Sequence, residues 1–185
     1  MSFFIPIILG TAREGRKSEL AARFVLAALQ KRSEVTTELI DVRDYRIPAT
    51  DNTEESDTAK RFAEKATSAD GFIMVVPEYN HGYPGELKMM LDLRSDQYHR
   101  KPVAICGVSS GMLGGARMVE QLRLIMIEFH MVPIGKAVYF ANVNKLFDDA
   151  GGITDPSYDK KVAGMLDELL WFARVLLKGR QESGS

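Results

Sequence analysis

The chain has 185 residues, of which 45% are apolar and 26% are charged, which suits one well-buried domain and is short for two. Its 24 lysines and arginines nearly balance 25 aspartates and glutamates, so the net charge of −1 excludes a broadly basic surface for nucleic acid. The single cysteine, Cys106, excludes an internal disulfide and a cysteine-rich metal site. We expect it to be a small buried apolar side chain.

The sequence offers no candidate for a membrane-spanning helix. No apolar run approaches the ~20 residues that such a helix needs. The apolar segment 1–9 lacks the basic flank of a signal peptide. We therefore expect no membrane partner and a cytoplasmic, reducing location.

Five apolar runs recur along the chain at intervals typical of alternating strands and helices. They span residues 3–9, 37–42, 71–76, 102–108 and 132–140. Most are nearly continuous rather than alternating in polarity, which is typical of strands covered on both faces. Helical periodicity fills the intervals, most clearly within residues 162–177. The pattern predicts an α/β fold in which five parallel strands form a sheet with helices on both faces.

The chain shows no internal repeat and no low-complexity segment, so we expect one domain over residues 1–178. Residues 51–57 form a polar, acidic approach to the second predicted helix, and residues 148–158 are a loop rich in turn residues. Residues 179–185 are mostly polar or small, and we predict a disordered C-terminal tail there.

The first predicted strand is joined to the first helix by residues 10–18, at a position where open α/β sheets bind phosphate. Two glycines in this loop allow the backbone to approach an anion closely. Its hydroxyls and cations belong to Thr11, Arg13, Arg16, Lys17 and Ser18. A terminal monophosphate suits this loop best, because hydroxyl and guanidinium donors stand before a helix N-terminus.

Three other interpretations of this loop are weaker. A P-loop requires the lysine directly after the second glycine, whereas Arg16 intervenes before Lys17, and Glu78 stands where a Mg²⁺-binding aspartate is expected. A dinucleotide-binding turn requires a G-x-G-x-x-G motif that is absent, although Asp41 or Asp44 could imitate its ribose-binding acid. An ordinary turn would leave three cations within five residues to repel one another.

Two further strand ends carry unusual loops. Residues 77–88 contain two prolines, two glycines and two tyrosines, and residues 109–117 contain three glycines and two serines. Taken alone, each could be a stiff or flexible connection. Because the carboxyl ends of parallel strands meet at one edge of a sheet, we expect all three loops to converge on one ligand. The rigid second loop suits the edge of a planar heterocycle.

These loops resemble the NADPH-dependent FMN reductase family, whose flavodoxin-like members include quinone, azo-dye and chromate reductases. The segment 10–13 is similar to the family's G-S-x-R opening. The segments 77–80 and 84–88, with Asp92, resemble its P-E-Y-N-x-S-x-P-G-x-L-K-N-x-x-D signature, and residues 110–115 resemble its S-G-x-x-G-G loop. The similarity runs in register from about residue 5 to residue 135, and it implies a flavodoxin-like α/β/α sandwich.

The resemblance implies FMN as the cofactor and NADPH or NADH as the electron donor. It assigns the phosphate to Thr11, Arg13 and Ser18, with Arg16 as a further contact. It assigns the isoalloxazine and ribityl group to Pro77, Glu78, Tyr79, Asn80, His81, Ser109, Ser110, Gly111 and Gly114. The chain departs from the family at three positions, with Arg16 or Ser18 standing for one serine, Gly82 for another and Met89 for an asparagine.

The implied reaction passes a hydride from NADPH to FMN and then to a quinone, an azo compound or another small electrophile, in a ping-pong scheme. FMN carries that chemistry, so we expect no catalytic side chain, although Tyr79, His81 and Tyr83 are candidates to shape the open flavin face. The alternatives are a flavin-binding electron carrier without its own NAD(P)H turnover and a module that binds no flavin.

The helix that follows Pro84 has apolar residues on two stripes. Leu87, Met90 and Leu91 form one stripe, and Met89 and Leu93 form the other. A helix that is apolar nearly all round is buried on more than one side. We therefore predict a homodimer or homotetramer that assembles through this helix, against the alternative that the helix is internal to one chain.

Overall fold

A computed structural model describes residues 2–46 and 56–182, and these residues form a parallel sheet between two layers of helices. The strands are β1 (Phe3–Phe4), β2 (Ile7–Leu9), β3 (Val35–Thr36), β4 (Leu39–Asp41), β5 (Phe72–Pro77), β6 (Pro102–Val108), β7 (Val132–Pro133) and β8 (Val138–Phe140). The helices are α1 (Ser18–Gln30), α2 (Asp57–Ser68), α3 (Gly85–Leu91), α4 (Ala116–Glu128), α5 (Val143–Leu146) and α6 (Ser157–Glu182). Two short 3₁₀ helices span Val42–Tyr45 and Asp96–Tyr98.

The main sheet has the order β4-β2-β5-β6-β7, with β8 also paired to β6, and every pairing is parallel. Two of the five predicted strands, 3–9 and 132–140, are interrupted, and β3 precedes the predicted run 37–42, of which β4 forms the centre. The first is divided into β1 and β2 at Pro6, which has no amide hydrogen to donate to a neighbouring strand. Five strand positions are therefore filled by eight short strands, and the predicted α/β class and doubly covered sheet are confirmed.

Alternate residues of the central strands face two separate apolar cores. Ile73 and Val75 of β5 face the core that holds α1 and α6, whereas Met74 and Val76 face the core that holds α2, α3 and α4. Cys106 is fully buried in the first core, and burial raises the pKa of its thiol to about 12. It therefore behaves as the small buried apolar side chain that we expected.

The structure gives a different reason for the apolar stripes of helix α3, on which the predicted assembly rested. Leu87, Met90, Leu91 and Leu93 are all buried within a single chain, in the core shared with α2 and α4. The apolar character of this helix is therefore explained by intrachain packing. The prediction that copies of the chain assemble through α3 rested on the wrong cause.

The C-terminal prediction also needs correction, because α6 continues to Glu182. Residues 179–182 are helical rather than a disordered tail, and residues 183–185 lie outside the described residues, as do residues 51–55 of the acidic segment. Arg180 anchors this last turn, since its Nη1 donates to the carbonyl of Arg100 at 2.8 Å and its Nη2 lies 3.4 Å from Asp70. No helix in the described part of the chain is both long enough and apolar enough to span a bilayer.

Candidate functional site

A cavity of about 390 Å³ opens at the carboxyl ends of β2, β5 and β6, where the three unusual loops meet. We call it the central cavity. Eight of the predicted site residues line it, namely Arg13, Arg16, Ser18, Pro77, Glu78, Tyr79, Ser109 and Ser110. The three loops therefore converge as the sequence predicted. A cavity of this size falls in the range typical of small-ligand sites.

Ser18 begins helix α1 and is 2% exposed. It lines the central cavity, yet its buried hydroxyl has no hydrogen-bond partner among the described residues. A buried hydroxyl without a partner is costly, so such an atom indicates a group that is satisfied by a ligand. The helix N-terminus behind it adds backbone amides and a partial positive charge.

Arg16 lines the same cavity, but its donors serve the protein itself. Its side chain is 4% exposed, and Nη1 donates to the carbonyl of Thr11 at 2.6 Å and to Asp41 at 2.8 Å, while Nη2 pairs with Asp41 and Glu19. The hydrogen bond with Asp41 raises the pKa of Arg16. Only Nε is left buried without a partner, so the structure makes Arg16 chiefly an anchor between the first loop and β4.

Thr11 is fully buried and does not line the central cavity. Its hydroxyl donates to Glu86 at 3.1 Å, shares a 2.9 Å hydrogen bond with the Tyr79 hydroxyl and accepts from the Arg13 amide at 3.2 Å. A hydroxyl has one proton and two lone pairs, so all of its capacity is used. Among the described residues this hydroxyl joins the first loop to the loop after β5, and the contact of Thr11 with phosphate stays a prediction.

Glu86 holds the other end of this network. Its Oε1 also accepts from the Ala12 amide at 2.9 Å. Desolvation opposes ionisation, but the hydrogen bonds from Ala12 and Thr11 prevail and lower the pKa of the Glu86 carboxyl. The network fixes Tyr79, and the Arg13 guanidinium lies 5.8 Å from the centre of the Tyr79 ring. Glu86 therefore sets the position of two residues that line the cavity.

Asn80 and His81 form a tight turn and do not line the central cavity. Tyr79 and Gly82 exchange two backbone hydrogen bonds of 2.9 Å across this turn. Asn80 has φ 48° and His81 has φ 70°, the left-handed conformation that a two-residue hairpin turn of this type requires. These two predicted site residues therefore shape the loop, while Tyr79 carries its contact with the cavity.

The loop after β6 divides its predicted residues between two places. Gly111 lines a neighbouring cavity of about 320 Å³, which shares Ser109 and Ser110 with the central cavity. Gly114 is buried with φ 59°, and a Cβ there would lie 2.7 Å from the Cβ of Tyr139. Gly114 thus serves the packing of the turn against β8.

The sequence reasoning missed Arg117, which pairs with Glu78 beside the neighbouring cavity. The Arg117 Nε donates to Glu78 at 2.8 Å, and the Met118 amide donates at 3.3 Å. Desolvation opposes ionisation, but these bonds lower the pKa of Glu78. Val143 and Asn144 after β8 also line the central cavity. The general tendency of ligands to lie at the carboxyl ends of strands could have indicated that fourth loop.

The family described as NADPH-dependent FMN reductase matches residues 5–145, which is more than half of the chain. The chain belongs to this family. Membership confirms that the protein is an oxidoreductase whose reaction involves FMN and a reduced nicotinamide nucleotide, as the resemblance implied. It favours the enzyme over the electron carrier that the sequence left open.

Individual relatives agree with this assignment. A quinone reductase of Escherichia coli strain K12 is 30% identical over 171 residues, which span 88% of this chain and 90% of that protein. An NAD(P)H-dependent FMN reductase of Pseudomonas aeruginosa is 31% identical over 122 residues, spanning 63% of this chain and 66% of that protein. The solved flavoenzyme NAD(P)H:(acceptor) oxidoreductase FerB of Paracoccus denitrificans superposes with a TM-score of 0.77 at 19% identity, covering 95% and 98% of the two chains. That likeness confirms the flavodoxin-like fold.

Proposed function

We propose that this FMN reductase holds FMN in the central cavity, with the phosphate at the start of α1 and the ring between the loops after β5 and β6. The observation that carries the proposal is the buried, unpartnered hydroxyl of Ser18 at the helix N-terminus. A phosphate oxygen would accept from this hydroxyl and from the free amides of the first turn. The residues present therefore fit the cofactor.

The rest of the phosphate subsite follows from the first loop. Arg13 and Lys17 are exposed at the rim of the cavity and supply positive charge to a dianion. The Nε of Arg16 adds one buried donor, while the other donors of that side chain hold Asp41. In this proposal Ser18 is therefore the main buried side chain that contacts the phosphate, and Arg16 contributes less.

The ring and ribityl subsites belong to two facing loops. Pro77, Glu78 and Tyr79 would face one edge of the isoalloxazine, and Ser109 and Ser110 would close the other side. Gly111 would border the ring from the neighbouring cavity. In this arrangement Asn80, His81 and Gly114 support the loops rather than contact the cofactor.

When bound, FMN supplies the chemistry, taking a hydride from NADPH or NADH and passing it in a ping-pong sequence to a quinone, an azo compound or another small electrophile. The chain's residues position the ring and leave one face open to both partners in turn. The quinone reductase among the relatives supports a small-molecule acceptor. No side chain is assigned as nucleophile or general base.

The test is the absorbance spectrum of the purified protein with added FMN, followed by anaerobic addition of NADPH or NADH and then of benzoquinone. We expect flavin absorbance to bleach within the mixing time and to return with the quinone. Initial rates at several quinone concentrations should give parallel double-reciprocal lines. Protein that takes up no FMN, or bound flavin that bleaches only with a separate reductase, would contradict the proposal.

We also propose that copies of this chain associate through α4 rather than α3. Leu124 and Ile127 lie one turn apart on α4 and are 68% and 58% exposed. Met112 and Leu113, in the loop that leads into α4, are exposed as well. Exposed apolar groups of this kind mark interaction surfaces.

Light scattering tests this interface. It should show a dimer or tetramer that the double variant Leu124→Glu with Ile127→Glu converts to monomer. An assembly mass that is the same for the parent and the double variant would contradict the interface.

A further inference from the structure

Two open hollows of about 560 and 400 Å³ adjoin the central cavity on the side of the first loop. Arg13 and Glu14 line both the central cavity and the larger hollow. Ala12, Glu14 and Arg46 line both hollows, and Arg43 lines the smaller one. The surface is therefore continuous from the proposed FMN phosphate subsite to Arg43 and Arg46.

The end of β4 explains why Arg43 and Arg46, rather than the carboxylate of Asp41, face these hollows. Asp41 is the last residue of β4, and its carboxylate is occupied by Arg16 and by the amide of Arg43. The following 3₁₀ helix, Val42–Tyr45, turns the chain so that the Arg43 Nε donates to the carbonyl of Ala12 at 3.0 Å. Its Nη2 donates to the carbonyl of Arg13 at 2.6 Å. Arg43 is thereby held against the first loop.

The charge in the hollows is unbalanced towards positive. Three arginines line them, against the carboxylates of Glu14 and Glu86. One oxygen of Glu86 already accepts from Thr11 and Ala12. Arg46 is exposed, and its charge is among the influences that lower the pKa of the Glu86 carboxyl. The guanidinium groups that line the hollows repel one another unless an anion lies between them. Their N–H donors also match the geometry of a phosphate.

We propose that Arg43 and Arg46, together with Arg13, form a second anion site that binds the 2′-phosphate of NADPH. The inference rests on the proposed function, because the nucleotide must approach the same central cavity. NADPH and NADH differ only in this phosphate. Guanidinium groups bind phosphate through paired N–H donors. The hollows that Arg43 and Arg46 line are continuous with the cavity that the nucleotide must reach.

The kinetic test compares both nucleotides on the FMN-loaded protein. Arg46→Ala changes an exposed side chain at the end of the 3₁₀ helix after β4, so we expect it to fold normally. The variant should lower kcat/KM for NADPH at least tenfold, mainly by raising KM. It should lower kcat/KM for NADH less than twofold. Arg43→Ala should act in the same direction. Arg174→Ala, an exposed arginine on α6, is the matched control and should change neither value. Equal losses for both nucleotides, or no loss for either, would overturn the site.

A binding measurement tests the proposed 2′-phosphate site independently of turnover. Adenosine 2′,5′-bisphosphate and 5′-AMP are titrated calorimetrically into the FMN-loaded protein at one fixed ionic strength. We expect the bisphosphate to bind at least tenfold more tightly and to lose that advantage in Arg46→Ala. Equal affinity for the two probes would overturn the inference even if the flavin is reduced normally. Preferential bisphosphate binding with no flavin reduction would instead contradict the proposed function alone.

Discussion

Two cavities of similar size, about 390 and 410 Å³, lie at opposite ends of the parallel sheet. Both are lined by charged and polar residues, but their buried groups are satisfied differently. At the amino end, Lys101 is 7% exposed, and its Nζ donates to the carbonyls of Ala66 and Thr67 at 2.6 and 2.9 Å. At the carboxyl end, the Ser18 hydroxyl and the Arg16 Nε are buried without partners.

This difference separates structural polar groups from those that serve a ligand. Lys101 donates to the last carbonyls of α2, so its amino group serves the fold. The first loop instead retains donors that only an added acceptor would satisfy. Cavity size alone would not have distinguished the two cavities, whereas the unpaired buried donors among their described lining residues do.

The largest effect should come from a paired group at the carboxyl end. Arg16→Met would leave the Asp41 carboxylate without its ion-pair partner, and we expect the FMN-free protein to lose about 3 kcal/mol of unfolding free energy. Urea denaturation measures the loss. Arg16→Met combined with Asp41→Asn should recover part of it. A single variant as stable as the parent would remove the distinction between Arg16 as anchor and Ser18 as ligand contact.

In contrast to Arg16→Met, Ser18→Ala should weaken FMN binding without destabilising the FMN-free protein. Loss of one hydrogen bond to a charged acceptor should weaken FMN binding about tenfold. The FMN-free protein should be equally stable or slightly more stable, because an unpartnered buried hydroxyl is removed. Fluorescence titration and denaturation give the two values. Ser157→Ala, which changes the serine at the start of α6, is the matched control and should leave FMN affinity unchanged.

Glu86→Gln tests the network that supports the site from behind. Replacing the charged acceptor of Thr11 and Ala12 with a neutral amide should cost about 1 kcal/mol of stability and weaken FMN binding about threefold. Thermal unfolding and FMN titration measure the two effects. Glu120→Gln, at an exposed ion pair on α4, should change neither. Unchanged FMN affinity in Glu86→Gln would show that the position of Tyr79 does not depend on this carboxylate.

The amino end should show a pH dependence of stability rather than a change in ligand affinity. Burial lowers the pKa of Lys101 from 10.5 to about 8. Between these values the unfolded chain binds more protons than the native chain, so stability should rise with pH across this window. The difference in unfolding free energy between the parent and Lys101→Met isolates this contribution. A difference that stays constant from pH 8 to pH 10 would contradict it, and FMN affinity should be unaffected throughout.

Much of the site could be predicted because its signals are local. The converging loops follow from apolar runs that end in glycine, proline and serine, and eight of the thirteen predicted residues line the central cavity. The choice between Arg16 and Ser18 could not be predicted, since it depends on a partner, Asp41, that lies 25 residues away. The same holds for Thr11, whose hydroxyl is occupied by Glu86, 75 residues away.

The sequence by itself determined the alternation of strands and helices and the edge of the sheet at which the three loops converge. These follow from hydrophobic periodicity and turn chemistry, which act over a few residues. Only the tertiary structure decided which donors remain unpaired, that α3 packs inside one chain and that Arg43 lies against the first loop. Those outcomes depend on which distant carboxylates and apolar surfaces meet when the sheet closes, because a hydrogen-bonding group serves a ligand only after its partners within the chain have been counted.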